Sequence, residues 1–275
     1  MIKTRAVAAP RLKKDAVSRQ ADRQFVTALG RGLEILQCFT PATPELGTSQ
    51  LARMTGLPQP TVWRLCHTMT ELGFLVQVPD QDRLRPGLPV LALGYAVLAS
   101  QRIGETAQPY MEAIAKRYQG AVSLGVRDGL NMLYLQRCQG SSIILADLSV
   151  GSRVPLAFSA TGWAYLAAIP EKDRKQLLVE IRASDRQKWS AIEPSFEVSL
   201  KEFRKTGYVV NLGSLHPQVN AVAVPVPSQD GSVLLTISSG GISSVFTSKV
   251  LHEVGAELKG LAEKLGRAVT KNTKL

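Results

Sequence analysis

The side chains that could do chemistry are concentrated in one short segment, residues 59–67. A helix starting near Pro60 would gather its apolar residues on one face at the 3.6-residue helical period: Val62, Leu65, Cys66, Met69 and Leu72. The opposite face would present Pro60, Arg64 and His67. An arginine on such a face can donate to a guanine edge or to a phosphate, and the sequence leaves both open for Arg64. The pattern predicts a helix that lies in the major groove of DNA.

Other side chains of the same helix could extend this contact. Gln59 and Thr61 would lie at the helix start, where side chains or backbone N–H groups reach phosphates. Trp63 could touch a sugar or a thymine methyl group, or pack on a neighbouring hairpin. His67 could reach DNA or stay idle in solvent. We expect the N-terminal part of the helix to make the base contacts.

A preceding helix must position this one, and we predict it over Thr48–Thr55. Thr48 would be its N-cap and is a further candidate DNA contact. Ala52 is small enough to let two helices approach, and Gly56 gives the freedom in φ that a sharp turn needs. The remaining contacts would be apolar, through Leu51, Leu57, Val62 and Leu65. These positions together predict a helix-turn-helix; the alternative is an ordinary helical hairpin in a core.

A hairpin should follow the second helix after Gly73. Phe74–Val78 predicts a strand, residues 79–82 a turn and Arg83–Gly87 a second short strand. Arg83 and Arg85 are two apart, so they would share one face of that strand. They could clamp the DNA backbone or minor groove as a wing, or they could simply be solvated.

The chain is basic, with a net charge of +11 over 275 residues, and the excess is greatest at its start. Residues 1–40 carry eight Lys or Arg against three Asp or Glu. We predict a flexible basic arm over residues 1–24, which could contact DNA or be a plain disordered tail. An apolar helical stripe follows: Val26, Leu29, Leu33, Leu36 and Phe39.

The pattern of elements predicts an α+β protein in two domains. The DNA-binding domain would span 25–87, a linker with a helix over Leu88–Ser100 would span 88–105, and a second domain would span 106–275. In that domain we predict helices over Thr106–Tyr118, Gly162–Ala168, Glu171–Ile181, Phe196–Thr206 and Ser248–Val269. We predict strands over Ala121–Val126, Asn131–Arg137, Ser142–Leu148, Tyr208–Leu212, Ala221–Val226 and Val233–Ser238.

The sequence contains no pattern that indicates catalysis, metal binding or membrane insertion. The three cysteines and three histidines are scattered, and the motifs of nucleophile elbows, phosphate-binding loops and zinc proteases are missing. We therefore expect no enzyme, no metal and no cofactor. With no signal peptide or membrane span in the sequence, we expect a cytoplasmic protein. Rival interpretations are a non-specific architectural DNA-binding protein without an effector, and a pure small-molecule sensor.

The chain resembles the isocitrate lyase regulator (IclR) family of transcriptional regulators over about residues 25–270, in segments of both halves: Phe25–Phe39, Leu51–Leu65, Glu71–Leu75, Pro155–Gly162, Gly207–Tyr208 and Val222–Val226. The resemblance implies a winged helix-turn-helix domain joined by a linker helix to a GAF-like α/β effector-binding domain. It also implies homodimers or homotetramers that bind double-stranded operator DNA as repressors or activators. The effector would be a small organic acid, aromatic acids included.

The effector site is predicted from one physical argument and from the resemblance. Ser159 and Thr161 should begin a helix, whose N–H groups and partial positive charge suit a carboxylate, although either residue could be a plain N-cap. The resemblance adds Ala160, so that one wall of the effector site would consist of Ser159, Ala160 and Thr161. It also implies a facing wall of five residues: Asn211, Val219, Ala221, Thr236 and Ser238. His216, in a nearby loop, could also hydrogen-bond a ligand. The small Ala221 favours a bulky ligand such as an aromatic acid.

Overall fold

The computed structural model describes residues 24–100, 102–140, 148–228 and 234–268. The chain divides into two compact units, Met1–Val97 and Leu98–Leu275. The predicted α+β class is confirmed, with a helical first unit and a mixed second one. The predicted basic arm lies outside the described residues except for Gln24, and so does the predicted strand Ser142–Leu148 except for Leu148.

The first unit is built from three helices and a hairpin. These are α1 (Thr27–Leu36), α2 (Thr48–Thr55), α3 (Gln59–Glu71), β1 (Leu75–Gln77) and β2 (Leu84–Pro86), followed by α4 (Leu88–Ser100). Its core joins all three helices to the hairpin through buried side chains: Ile35, Cys38, Leu46, Leu51, Val62, Cys66 and Leu75. The predicted apolar faces of α2 and α3 are therefore the ones that hold the two helices together.

The start of α2 differs from the prediction. Gly47, rather than Thr48, is the N-cap: its N–H donates to Oε1 of Gln50 at 3.0 Å, and Thr48 is the first helical residue. The Gln50 side chain folds back and satisfies the helix start, so the Thr48 hydroxyl is not needed there. Gly56 ends the helix with a φ of 73°, as the predicted turn requires.

Part of the apolar stripe of α1 lies outside the core. Ile35 is fully buried, whereas Val26, Leu29 and Leu33 are 63%, 62% and 51% exposed. Leu72, predicted on the apolar face of α3, is also exposed, because it is the C-cap residue, one position beyond the last helical turn. The first unit thus carries apolar surface that its own core does not use.

The hairpin after α3 has the form of a wing. β1 and β2 pair antiparallel, with Val76 opposite Arg85, and Asp80 turns the chain with a φ of 58°. Leu46 forms a further bridge with Leu84, their backbone N–H and C=O groups bonding in both directions at 3.0 and 2.9 Å. This bridge ties the wing to the segment that leads into α2.

The second unit is a curled antiparallel sheet between two layers of helices. Its strands, in the order β5-β4-β3-β8-β7-β6, are β3 (Ala121–Asp128), β4 (Asn131–Gln139), β5 (Arg153–Pro155), β6 (Val209–Leu212), β7 (Val219–Pro227) and β8 (Leu234–Ile242). Helices α5 (Arg102–Tyr118) and α9 (Ser248–Ala268) cover one face. Helices α6 (Ala160–Ala168), α7 (Glu171–Ser184) and α8 (Arg186–Thr206) lie on the other side.

Two elements of this unit depart most from the sequence prediction. Helix α8 begins ten residues before the predicted Phe196, because Asp185 caps it by accepting from the Lys188 N–H at 3.1 Å. Pro194 lies inside that helix, where proline is usually a breaker, and the buried Trp189 anchors the turns before it. Strand β5 was not predicted, since three residues are too few to show a period.

Candidate functional site

Helix α3 presents a polar surface opposite its buried face. Val62 and Cys66 are buried against α1 and α2, while Pro60, Arg64 and His67 are exposed. Trp63 is 58% exposed, a large aromatic surface to leave in water. The predicted outer face is therefore free in the first unit, which is the condition for entering a groove of DNA.

Trp63 and His67 form a stacked pair on this surface. They are one turn apart, and their rings are nearly parallel, with centroids 5.5 Å apart and an interplanar angle of 5°. Trp63 therefore packs on His67, a partner that the sequence prediction did not offer. The stack holds both rings against the outer face of α3 and gives that face a flat, partly apolar edge.

Residues of the first turn of α3 form hydrogen bonds with α2 and with the turn between the two helices. The Gln59 side chain donates to Oγ of Ser49 at 3.0 Å and so joins α3 to α2. The Thr61 N–H donates to the Pro58 carbonyl at 2.9 Å, so a phosphate contact from Thr61 would use its hydroxyl and not its backbone. Thr48 is half-buried at the start of α2.

The two wing arginines are not equivalent. Arg83 is half-buried, and its Nη2 lies 3.5 Å from Oε1 of Gln50, the side chain that also accepts from Gly47. Arg85 is exposed on β2 opposite Val76. Arg83 therefore braces the wing against α2, and Arg85 is the wing side chain that points into solvent.

The start of α6 uses its hydroxyl groups within the protein. Oγ of Ser159 accepts from the Gly162 N–H at 3.1 Å and donates to the Pro155 carbonyl at 2.8 Å, so Ser159 is an N-cap. Gly162 lets this turn come close to Leu156: a Cβ at Gly162 would lie 2.1 Å from the Leu156 carbonyl oxygen. Ser159, Ala160 and Thr161 are all buried.

The predicted facing wall lies on the side of the sheet that α6 covers. Leu235 and Ile237 pack toward α5 and α9, so Thr236 and Ser238, which alternate with them, face α6. Thr161 and Thr236 are joined by a hydrogen bond between their hydroxyls. The structure thus brings the α6 start and the β8 residues together.

Asn211 closes the other end of this wall. It lies opposite Ala221, and both its amide groups are engaged: Nδ2 donates to the Phe158 carbonyl at 3.1 Å, and Oδ1 accepts from the Ser214 N–H at 3.2 Å. Val219 is buried and Ala221 half-buried on the same face of β7. His216 instead accepts at Nδ1 from the Gln218 N–H at 3.3 Å, within its own loop.

Sequence reasoning missed three side chains on the same sheet face, namely Ser123, Tyr134 and Arg137. Nη1 of Arg137 donates to Oγ of Ser123 at 2.7 Å, and its Cζ lies 5.7 Å from the centre of the Tyr134 ring. Burial raises the pKa of Tyr134, and burial likewise lowers the pKa of Arg137. The pairing of Ser123 with both Arg137 and Ser238 places this group beside the predicted wall.

The cysteine and acidic side chains give little support to a reactive thiol or a metal site. Cys38, Cys66 and Cys138 are buried, and burial raises the pKa of the Cys66 thiol to about 11, so it is not a thiolate near neutral pH. Among the described residues, no group of three His, Cys, Asp or Glu side chains could hold a metal ion. No helix in the described part of the chain is long and apolar enough to span a membrane.

Comparison with known proteins finds matches for both halves of the chain. Residues 28–79 match the IclR helix-turn-helix domain, and residues 95–267 match the C-terminal domain of the bacterial transcriptional regulator IclR. The HTH-type transcriptional regulator TsaQ1/TsaQ2 of Comamonas testosteroni is 33% identical over 242 residues, which is 87% of each chain.

Solved structures show the same fold. An IclR family transcriptional regulator from Brucella abortus is 36% identical, with a TM-score of 0.85 over 97% of this chain and 100% of that one. An IclR homolog from Microbacterium hydrocarbonoxydans, solved in complex with 4-hydroxybenzoate, is 22% identical, with a TM-score of 0.66 over 88% of this chain and 100% of that one. The chain belongs to the IclR family of bacterial transcriptional regulators, with a helix-turn-helix DNA-binding domain followed by the family's effector domain.

Proposed function

We propose that this protein binds a specific operator sequence and that a small organic acid, held in the second unit, controls this binding. The observation that carries the proposal is the free outer face of α3, where Arg64, Trp63 and His67 stand opposite the buried Val62 and Cys66. A helix held by its apolar face, with an arginine and aromatic groups outside, suits the major groove.

The contacts divide into base reading and backbone positioning. Arg64 is the candidate for reading a guanine, and Trp63 offers an apolar surface for a thymine methyl group. Pro60, Thr61 and Gln59 lie at the helix start, while Arg85 extends from the wing toward phosphates or the minor groove. Thr48 and Arg83 lie at the edges of this surface and would support it.

The effector would lie between α6 and the sheet face formed by Thr236, Ser238 and Ala221. An acid is favoured because the polar residues there are accompanied by a guanidinium, that of Arg137. An aromatic acid is a reasonable member of the class, since the Microbacterium hydrocarbonoxydans homolog of the same fold was solved with 4-hydroxybenzoate. A side chain as small as that of Ala221 would suit a bulky ligand.

The regulator would act as a homodimer or homotetramer. The α4 segment is uncharged, and Leu88, Leu91 and Tyr95 are 81%, 70% and 71% exposed. A second copy of the chain is the partner that would cover such a surface. Two recognition helices could then reach half-sites about 34 Å apart, and the effector would act by favouring one spacing over another. A cytoplasmic location follows from operator binding.

A competition gel shift tests the proposal. DNA flanking the gene of this protein is compared with an equal mass of unrelated DNA at about physiological salt, with and without aromatic and aliphatic acids. We expect retention on the flanking DNA alone, altered by one of the acids. Equal binding to both DNAs with a steep salt dependence would instead support an architectural protein without an effector.

A further inference from the structure

Arg137 places a positive charge on the sheet face that α6 covers. Its guanidinium donates to Ser123 at 2.7 Å and lies over the ring of Tyr134. Ser123 and Tyr134 are 2% and 5% exposed. The guanidinium is therefore oriented by a buried serine and a buried ring and does not extend freely into solvent.

The strand register connects Arg137 to the predicted effector wall. Ser123 of β3 stands opposite Arg137 of β4 on one side and opposite Ser238 of β8 on the other. Neighbouring strands lie about 4.8 Å apart, so Arg137 is two strand spacings from Ser238. The residues beside this row are small, with Ala223 opposite Ser238 and Gly240 opposite Ala221. A flat ligand resting there would have its polar end within reach of the guanidinium.

The start of α6 is a weaker anchor for an anion than the sequence suggests. The Ser159 hydroxyl caps the helix, the Thr161 hydroxyl bonds Thr236, and the Asn211 amide bonds backbone groups. A guanidinium carries five N–H donors in a planar fork that matches a carboxylate. Since charge-assisted bonds in a partly buried site are the strong ones, the arginine should dominate recognition.

We propose that Arg137 binds the carboxylate of the effector and that Ser123 positions its guanidinium. This inference rests on the proposed control by an organic acid and adds the residue that selects the anion. It predicts that the site distinguishes an acid from its uncharged amide, whatever the rest of the ligand.

The test uses the full-length protein and two probes of equal shape, 4-hydroxybenzoate and 4-hydroxybenzamide, measured by isothermal titration calorimetry. The wild type should bind the acid at least about tenfold more tightly than the amide. Arg137→Met should weaken acid binding by a similar factor and remove the preference. Arg117→Met, a surface arginine of α5 paired with Glu257, is the matched control and should change neither affinity.

Three outcomes separate the possible errors. If Arg137→Met binds the acid as tightly as the wild type, the assignment of Arg137 is overturned while control by an acid stands. If the wild type binds neither 4-hydroxybenzoate nor any aliphatic acid of the panel, both the assignment and the proposed effector function are overturned. Should Arg137→Met fail to fold, Arg137→Lys decides: a retained preference for the acid at reduced affinity supports the inference, and unchanged affinity contradicts it.

Discussion

Gly162 offers the sharpest stability test of how the α6 start is placed. A Cβ there would lie 2.1 Å from the carbonyl oxygen, 2.6 Å from Cα and 2.7 Å from the carbonyl carbon of Leu156. These are backbone atoms, so Gly162→Ala must move α6 away from the residue 155–156 segment. We estimate the strain at about 3 kcal/mol. The better helix propensity of alanine offsets about 1 kcal/mol, which leaves a net loss of about 2 kcal/mol.

Thermal unfolding followed by circular dichroism measures this loss. For a unit of this size the Gly162→Ala substitution should lower Tm by about 4–8 °C. Gly260→Ala is the matched control, because Gly260 lies in α9 with nothing within 4 Å of its Cβ position, and it should raise Tm by about 2–4 °C. A Gly162→Ala protein as stable as the wild type would refute the close approach of α6 to Leu156.

Three further predictions concern other parts of the chain. Thr236→Val leaves the buried Thr161 hydroxyl without its partner and should cost about 1–3 kcal/mol in urea unfolding; no loss would mean that the bond contributes nothing. The pKa of Cys66, raised to about 11, keeps its thiol protonated at pH 8. Mass spectrometry should therefore find Cys66 unalkylated by iodoacetamide until the protein is unfolded. Rapid labelling of Cys66 in the native protein would contradict this prediction. Leu91→Glu should shift the mass from light scattering toward the monomer, while Val179→Glu, at an exposed apolar position on α7, should not; unchanged mass in both would exclude α4 from the interface.

Local rules predicted the DNA-binding unit well, because its signals are short-range. The turn at Gly56, the apolar face through Val62 and Cys66, and the wing before Gly87 each depend on residues close in sequence. The error at Thr48 has the same origin: the intrinsic preference for a threonine cap competed with Gln50, which lies three residues after Gly47 and bonds its N–H, and the helix is capped at Gly47.

The candidate effector site was only half predictable, because it depends on strand register. The alternation along β8 put Thr236 and Ser238 on one face, and the structure agrees. If the register that begins at Asp128 and Asn131, beside the turn at Gly129, continued unchanged along β3 and β4, Ser123 would stand opposite Gln136 and not opposite Arg137. A register shift between Leu124 and Gly125 intervenes, and nothing in the sequence announces it.

The extra length of α8 and the exposed stripe of α1 were also beyond sequence rules. Pro194 is a breaker by local preference, and tertiary packing of Trp189 and Phe196 overrides it. The apolar period of α1 predicts a buried face, but the period does not say whether the covering surface belongs to the same chain.

The central claim, that α3 reads DNA, is tested most directly by Arg64→Ala in a gel shift against the DNA flanking the gene of this protein. Loss of a bidentate guanine contact costs about 1–3 kcal/mol, so affinity should fall by about 5- to 150-fold and the preference for the flanking DNA over unrelated DNA should narrow. Arg53→Ala, in the last turn of α2, is the control for loss of charge. If Arg64→Ala keeps both wild-type affinity and wild-type preference while its fold is intact, the outer face of α3 does not read the operator.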